Sequence, residues 1–383
     1  MIQYYKVQLE KFKTEGRFRT IPSFSQSDSM INFSSNDYLG LAQDEDLKTE
    51  FLSQLPDKKH LLSSSSARLL TGNFEAHEQL ESTLAKLYRK SALTFNSGYH
   101  ANIGILPSIA DKNTLILADK LVHASLIDGI HLSRAKNIRY RHNDYAHLEH
   151  LVEYYAQQFE RIIIVTESIF SMNGDEADLP RLVALKKQYK NVMLYVDEAH
   201  AVGIRGKSGL GCVEEHNCIA DVDFIVGTFG KALASMGAYV ICDEIFCDYL
   251  VNKARSFIFS TTLPPINALW TNFILERLSN LTEQREILKS RSEQFRKILR
   301  NKGQCNISTT QIIPIIVGES KDAIRFSEEL RQKGFYVLPV RPPTVPQGTA
   351  RLRFSLTSLI SEMDIELITN YLIENDGRIS KTR

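Results

Sequence analysis

The stretch Asp223-Phe-Ile-Val-Gly-Thr-Phe-Gly-Lys231-Ala-Leu-Ala-Ser-Met-Gly-Ala-Tyr-Val-Ile241 decides how this chain is read. An apolar run enters a glycine-bracketed turn that carries one lysine, and a second apolar run follows. Two short apolar runs separated only by a turn predict a hairpin, so one strand of the pair runs antiparallel. Gly227 and Gly230 let the backbone approach something bulky, and Thr228 sets a hydroxyl beside them. A lysine between two buried strands is costly if charged, so the Lys231 amine calls for a lowered pKa or a covalent partner. The plainer alternative is a solvated lysine on a loop that happens to contain glycines. This stretch alone does not separate the two.

Upstream of it, short apolar runs at 92–95, 114–118, 137–141, 161–166 and 192–197 join 223–227 and 236–241 as strand candidates. Helical spacing fills the gaps at 99–110, 123–133, 145–157 and 179–189. Runs that are apolar throughout and alternate with helices predict an α/β fold: a mainly parallel sheet of about seven strands, covered on both faces. Helices are also expected at 2–13, with Tyr5, Leu9 and Phe12 near one face, and at 75–89. Polar, irregular sequence occupies 14–30. Downstream of Leu263-Pro-Pro265 the pattern changes to a long helix at 267–300, strands at 312–317, 335–340 and 351–356, and helices at 320–333 and 361–374. This predicts an N-terminal segment over 1–40, a large domain over 41–270 and a smaller α+β domain over 271–383, ending in a frayed tail from Gly377.

The balance of 46 Lys+Arg against 45 Asp+Glu, net +1, gives a polyanion nothing to bind, so no nucleic-acid partner is expected. No run is long and apolar enough for a signal peptide or a membrane span, and a cytoplasmic protein is expected. The five cysteines, at 212, 218, 242, 247 and 305, lack metal-site spacing and read as reduced thiols, with no metal expected.

In open α/β sheets, ligands bind beyond the carboxyl ends of the strands. Polar residues collect at those ends: Gly98 and Tyr99 at a helix start suited to a phosphate, His123, Ser171, Asp197 with His200 three residues on, then Thr228 and Lys231. A phosphate cradle, a flat histidine, a buried acid, a second histidine and a desolvated lysine together suit pyridoxal 5'-phosphate, as a Schiff base on Lys231 with Asp197 facing the ring nitrogen.

At these residues the chain resembles the α-oxoamine synthases, within the fold-type I pyridoxal-phosphate enzymes. The resemblance rests on Asn32-Phe-Ser-Ser-Asn-Asp-Tyr-Leu-Gly40, His123-Ala-Ser-Leu126, Thr166-Glu-Ser-Ile-Phe-Ser-Met-Asn-Gly-Asp175, Asp197-Glu-Ala-His200, Gly227-Thr-Phe-Gly-Lys231 and Phe259-Ser-Thr-Thr-Leu-Pro-Pro265. It runs from about residue 17 to 375. It implies that Lys231 carries the cofactor and moves the substrate α-proton, that His200 reaches the ring's phenolic oxygen, and that His123 stacks on the ring. It places Gly98, Tyr99, Ser171 and Thr228 at cofactor contacts, Arg353 at the amino-acid carboxylate, and Arg17 and Thr344 at the acyl substrate. The run Arg341-Pro-Pro-Thr-Val-Pro346, with Gly348-Thr-Ala-Arg-Leu-Arg353, resembles the members that join L-alanine to a pimeloyl thioester with loss of carbon dioxide. Members of the family are homodimers with interfacial sites. Ser63 to Ser66 stand where relatives usually carry glycines. The alternatives are a relative that takes glycine or serine, an aminotransferase on the same fold, and a non-catalytic binding protein. Retention of both Lys231 and Asp197 argues against the last.

Overall fold

The computed structural model describes residues 1–21, 30–55, 62–301 and 307–379. They form two compact units, one of residues 39–170 and 176–285, the other of residues 1–38, 171–175 and 286–383.

The larger unit is built on a seven-stranded sheet. Its spatial order is Ser91–Phe95, Ala238–Cys242, Phe224–Thr228, Val192–Asp197, Arg161–Glu167, Thr114–Asp119, Lys136–Tyr140. Only Ala238–Cys242 runs antiparallel to its neighbours, as the turn at Lys231 requires. Its central strands are apolar throughout because helices cover both faces. Ile162, Ile163, Ile164 and Val165 are fully buried, as are Leu115, Ile116 and Leu117. Each such side chain contributes about 1.5–3 kcal/mol of burial. The register decides where the chemistry sits. Glu167 pairs with Asp197, and Asp197 pairs with Val226, two residues before Thr228. Phe95 and Thr228 both pair with Ala238. The loop after each of these strands therefore opens at one edge of the sheet.

Helices Gly98–Ile109, Ala124–Ser133, Tyr145–Tyr155 and Leu179–Lys187 follow the strands, and helix Glu75–Tyr88 precedes the first. Gly227 has a packing role: a Cβ built there would lie 2.3 Å from Tyr239 Cζ. The bulky group that this glycine admits is thus the neighbouring strand's own tyrosine.

The long helix expected over 267–300 is two helices, Pro265–Arg277 and Thr282–Asn301, divided by a 3-10 turn at Leu278–Asn280. Ser279 and Asn280 favour a break because their side chains compete with the helical backbone bonds. Arg285 then holds it, donating from Nη1 to Leu278 O at 2.7 Å and from Nη2 to Thr282 Oγ1 at 3.1 Å.

In the smaller unit, Ile312–Gly318 and Pro339–Val340 flank Ala350–Ser355 in an antiparallel sheet. The strand expected over 335–340 is split, because its two ends pair with different partners. Phe335–Tyr336 pairs in parallel with Ile31–Asn32, whereas Pro339–Val340 pairs with Arg351 and Leu352. Helices Ser320–Gln332 and Glu362–Glu374 belong to this unit, the latter capped reciprocally by Ser361 and Asp364. The tail is not frayed through its whole length: Asp376–Arg378 forms a 3-10 turn, and Arg378 ion-pairs with Glu329. Residues 380–383 lie outside the described residues.

Among the described residues no helix is long and apolar enough to cross a membrane. Cys212, Cys218, Cys242 and Cys247 are buried free thiols. Cys305 lies outside the described residues.

Candidate active site

At the sheet edge of the larger unit, Lys231 Nζ lies 2.9 Å from His200 Nε2. The imidazole is buried at 5 % exposure, whereas the lysine is only half-buried. His200 stands three residues beyond Asp197, and a tight turn (Ala201 N donating to Glu198 O at 2.8 Å) folds it back toward the lysine.

Asp197 closes its strand as a buried carboxylate, 6 % exposed. Its Oδ1 accepts from Ala199 N at 2.9 Å and its Oδ2 from Asn102 Nδ2 at 2.9 Å. No lysine or arginine among the described residues comes within ion-pair distance of it. A buried carboxylate held in place by neutral donors has capacity left for one cationic N–H, which is what a protonated pyridine ring offers.

His123 caps helix Ala124–Ser133. Its Nδ1 accepts from Ser125 N at 3.2 Å and lies 2.8 Å from Ser125 Oγ. The side chain is open to solvent on one side and backed by protein on the other. That backing lowers its pKa; Asp197 pulls it up and the Lys231 charge pushes it further down. A near-neutral ring with one open face is suited to stacking.

Gly98 begins helix Gly98–Ile109, whose N-cap Ser97 accepts from His100 N at 3.2 Å. The first N–H groups of that helix have no intrahelical acceptor, which makes this end an anion site. A Cβ at Gly98 would meet only Thr228 Cβ, at 3.9 Å, so the two expected phosphate contacts are adjacent. Thr228 Oγ1 donates to Gly237 O at 3.0 Å and accepts from Gly230 N at 3.2 Å. Tyr99 is exposed, with its hydroxyl directed to Asp128.

Glu198, next to Asp197, is fully buried. Burial lifts its carboxyl from the ordinary value near 4.5 to about 7, against the pull of its hydrogen bonds from Ser168, Val213 N and Cys212 N. Those bonds, at 2.5, 2.7 and 3.1 Å, tie the end of the strand to Ser168 and to the start of helix Cys212–Glu215.

The remaining expected residues lie in the smaller unit. Arg353 donates from Nε to the Ser171 carbonyl at 2.6 Å, and from Nη1 to Asn36 Oδ1 at 3.3 Å and Ser355 Oγ at 3.2 Å. Its Nη2 has no acceptor among the described residues, so one edge of the guanidinium stays available to a carboxylate. Thr344 Oγ1 accepts from Arg19 at 2.9 Å. Arg17 is not brought to Thr344; it pairs with Glu15 at 3.0 Å instead. Arg19, two residues on, makes the contact with Thr344, and Arg341 Nη1 donates to Gly16 O at 2.6 Å beside it.

Sequence reading missed Asn102, Ser125 and Tyr195 beneath the sheet edge, and Asn36 and Arg19 beside the smaller unit's arginines. Asn102 gave one signal: an amide four residues after Gly98, on a helix otherwise apolar on that side.

The aminotransferase class I and II family matches residues 28–372. A putative 8-amino-7-oxononanoate synthase of Pasteurella multocida is 52% identical over 376 residues, spanning 96% of this chain and 97% of that one. The solved 8-amino-7-oxononanoate synthase of Francisella tularensis is 30% identical with a TM-score of 0.78, covering 92% of this chain and 98% of its own. A solved serine palmitoyltransferase with PLP is 27% identical with a TM-score of 0.87, covering 98% of this chain and 96% of its own.

Proposed function

Because the chain belongs to the aminotransferase class I and II family, we propose that it catalyses the reaction of the 8-amino-7-oxononanoate synthases. L-Alanine and a pimeloyl thioester condense, with release of carbon dioxide and the free thiol, in biotin biosynthesis. The observation that carries the reading is the Lys231 amine at 2.9 Å from His200, on the edge where buried Asp197 has no lysine or arginine paired to it among the described residues. The enzyme uses pyridoxal 5'-phosphate, which supplies an aldehyde for the alanine amine and a protonated ring that takes up the electron pair left at Cα.

The chain's own residues do the rest. Lys231 would hold the aldehyde covalently, and its amine, when free, would serve as the base for the α-proton. His200 accepts from or donates to that amine and orients it. Asp197 would keep the ring nitrogen protonated by pairing with its N–H. His123 would stack on the ring. The N–H groups at Gly98 and Tyr99, with Thr228, hold the phosphate. Arg353 takes the alanine carboxylate through the free edge of its guanidinium, with Ser171 O, Asn36 and Ser355 fixing the other edge. Arg17 and Thr344 serve the acyl chain, and the contact at Thr344 makes Arg19 a third member of that group.

A homodimer in the cytoplasm goes with this reading. Thr262 N donates to Ser66 O at 3.0 Å, so the two loops on either side pair and hold up Leu70 and Phe259, which are 79 % and 69 % exposed. Apolar groups displayed together suit cover by a second copy.

The test offers alanine, glycine and serine with a panel of acyl thioesters and identifies products by mass. The expected product is 8-amino-7-oxononanoate from alanine and the pimeloyl thioester. Condensation with glycine or serine in preference to alanine would assign a different member of the group. Return of the amino group to a keto acid would assign an aminotransferase.

A further inference from the structure

Beneath the sheet edge the geometry points to Asn102 as a positioning residue that holds Asp197 and, through Ser125, locks His123 as the neutral imidazole carrying its hydrogen on Nε2. Asn102 is 1 % exposed and sits one turn into helix Gly98–Ile109. Its Nδ2 donates to Asp197 Oδ2 and to Ser125 Oγ, both at 2.9 Å, and its Oδ1 accepts from the Tyr195 hydroxyl at 2.7 Å. The opposite amide orientation would turn Oδ1 onto the Asp197 carboxylate, acceptor against acceptor, so only this one is viable. Burial, reinforced by the Asp197 charge, raises the Tyr195 pKa well above its ordinary value, so its hydroxyl stays protonated and donates.

The relay to His123 follows from donor counting. Ser125 Oγ receives a hydrogen from Asn102, lies 2.8 Å from His123 Nδ1 and has its own hydrogen to give to that nitrogen. The Ser125 backbone N–H, which can only donate, also points at Nδ1, at 3.2 Å. Nδ1 therefore accepts twice, and the ring hydrogen is on Nε2. The crossing of two helices makes this possible. A Cβ on Gly129, one turn beyond Ser125, would fall 2.5 Å from Asn102 O, so glycine there lets the helix bearing Ser125 close on the helix bearing Asn102. The groups acting on the imidazole are Asp197, Lys231 and Asp128.

The purpose of the lock rests on the pyridoxal-phosphate reading: an uncharged ring over the cofactor face does not compete with the cationic ring nitrogen for Asp197. The lock itself is read from the protein. The full-length, cofactor-loaded enzyme is labelled with ring-¹⁵N histidine, and the His123 pair is assigned by its loss in His123→Gln. Near neutral pH the expected pattern is an acceptor-type Nδ1 and a protonated Nε2. Ser125→Ala and Asn102→Ala should draw the two shifts toward each other as the second tautomer populates, and Ser125→Thr should restore the separation. A wild-type ring protonated on Nδ1 overturns the inference, as does Asn102→Ala leaving the pair unmoved while Ser125→Ala shifts it. If Asn102→Ala does not fold, Asn102→Ser, which keeps a short polar group, takes its place and must move the pair. Either adverse result leaves the covalent attachment at Lys231 standing, since borohydride labelling reports that separately.

Discussion

The sheet edge around Lys231 and the arginine region of the smaller unit handle charge in opposite ways. At the edge, three ionisable groups are held by specific side-chain and backbone partners: Lys231 by His200, Asp197 by Asn102 and Ala199 N, Glu198 by Ser168 and two backbone amides. In the smaller unit Arg19, Arg341, Arg351 and Arg353 bond only to carbonyl, amide and hydroxyl oxygens, with no acid in ion-pair range among the described residues. Burial lowers Arg351 to about 10, and no acid opposes the shift. Four guanidinium groups with no acid paired to them among the described residues attract anions. A region whose charged groups are fixed in place by hydrogen bonds, with one buried carboxylate still open to a cation, is prearranged for one resident group. On the proposed function, the smaller unit's arginines capture the substrate and the sheet edge holds the cofactor.

The strongest test of that separation is Lys231→Ala. It should abolish turnover and the borohydride-stable adduct while the protein stays folded, because a half-buried lysine contributes little to packing. Peptide mapping of the adduct checks the site; label on another lysine would break the assignment of this edge.

Arg353→Ala comes next. Loss of a charge-assisted carboxylate contact of about 2–3 kcal/mol should raise KM for alanine about 30–150-fold. The absorbance of the bound cofactor should be unchanged. Equal loss of cofactor and alanine affinity would erase the distinction between the two regions.

The two regions also differ in how far the sequence discloses them. The edge is built from consecutive residues at the ends of apolar strands, so Asp197-Glu-Ala-His200 and Gly227-Thr-Phe-Gly-Lys231 announce it locally. Even the antiparallel strand was legible, because a turn this short permits nothing else. The smaller unit's contacts span great sequence distances: Arg353 to the Ser171 carbonyl and Arg19 to Thr344 are pairings that no local pattern encodes. Arg19 accordingly drew no notice in the sequence, although it is the residue that donates to Thr344. The break at Leu278–Asn280 escaped for a related reason, since it depends on the Arg285 side chain reaching back to cap it. Asn102 and Ser125 escaped because a buried polar residue within an apolar helix has no periodicity of its own.

Glu198→Gln probes the edge through stability. The folded carboxyl titrates at about 7 and the unfolded one near 4.5, so the folded state holds the proton more tightly between those values. Stability should therefore fall as pH rises from about 4.5 to 7, and the loss should be complete above it. The glutamine variant should remove that slope, and at low pH it should be about 1–2 kcal/mol less stable than wild type, since one of three donors loses its acceptor. Urea unfolding across this range gives the answer, and an unchanged slope would mean that Glu198 is not the group responsible.

The smallest expected effect separates the regions most finely. Thr344→Val keeps the shape of the side chain but removes the acceptor that orients Arg19, at a cost of about 0.5–1.5 kcal/mol. Arg19 is exposed, so water replaces the lost partner and the fold should not notice; the melting temperature is expected to stay within the error of measurement. If the arginines capture the acyl substrate, KM for the pimeloyl thioester should rise about 2–10-fold, with KM for alanine and the cofactor spectrum unmoved. A fall in kcat with both KM values constant would instead place Thr344 with the chemistry at the edge.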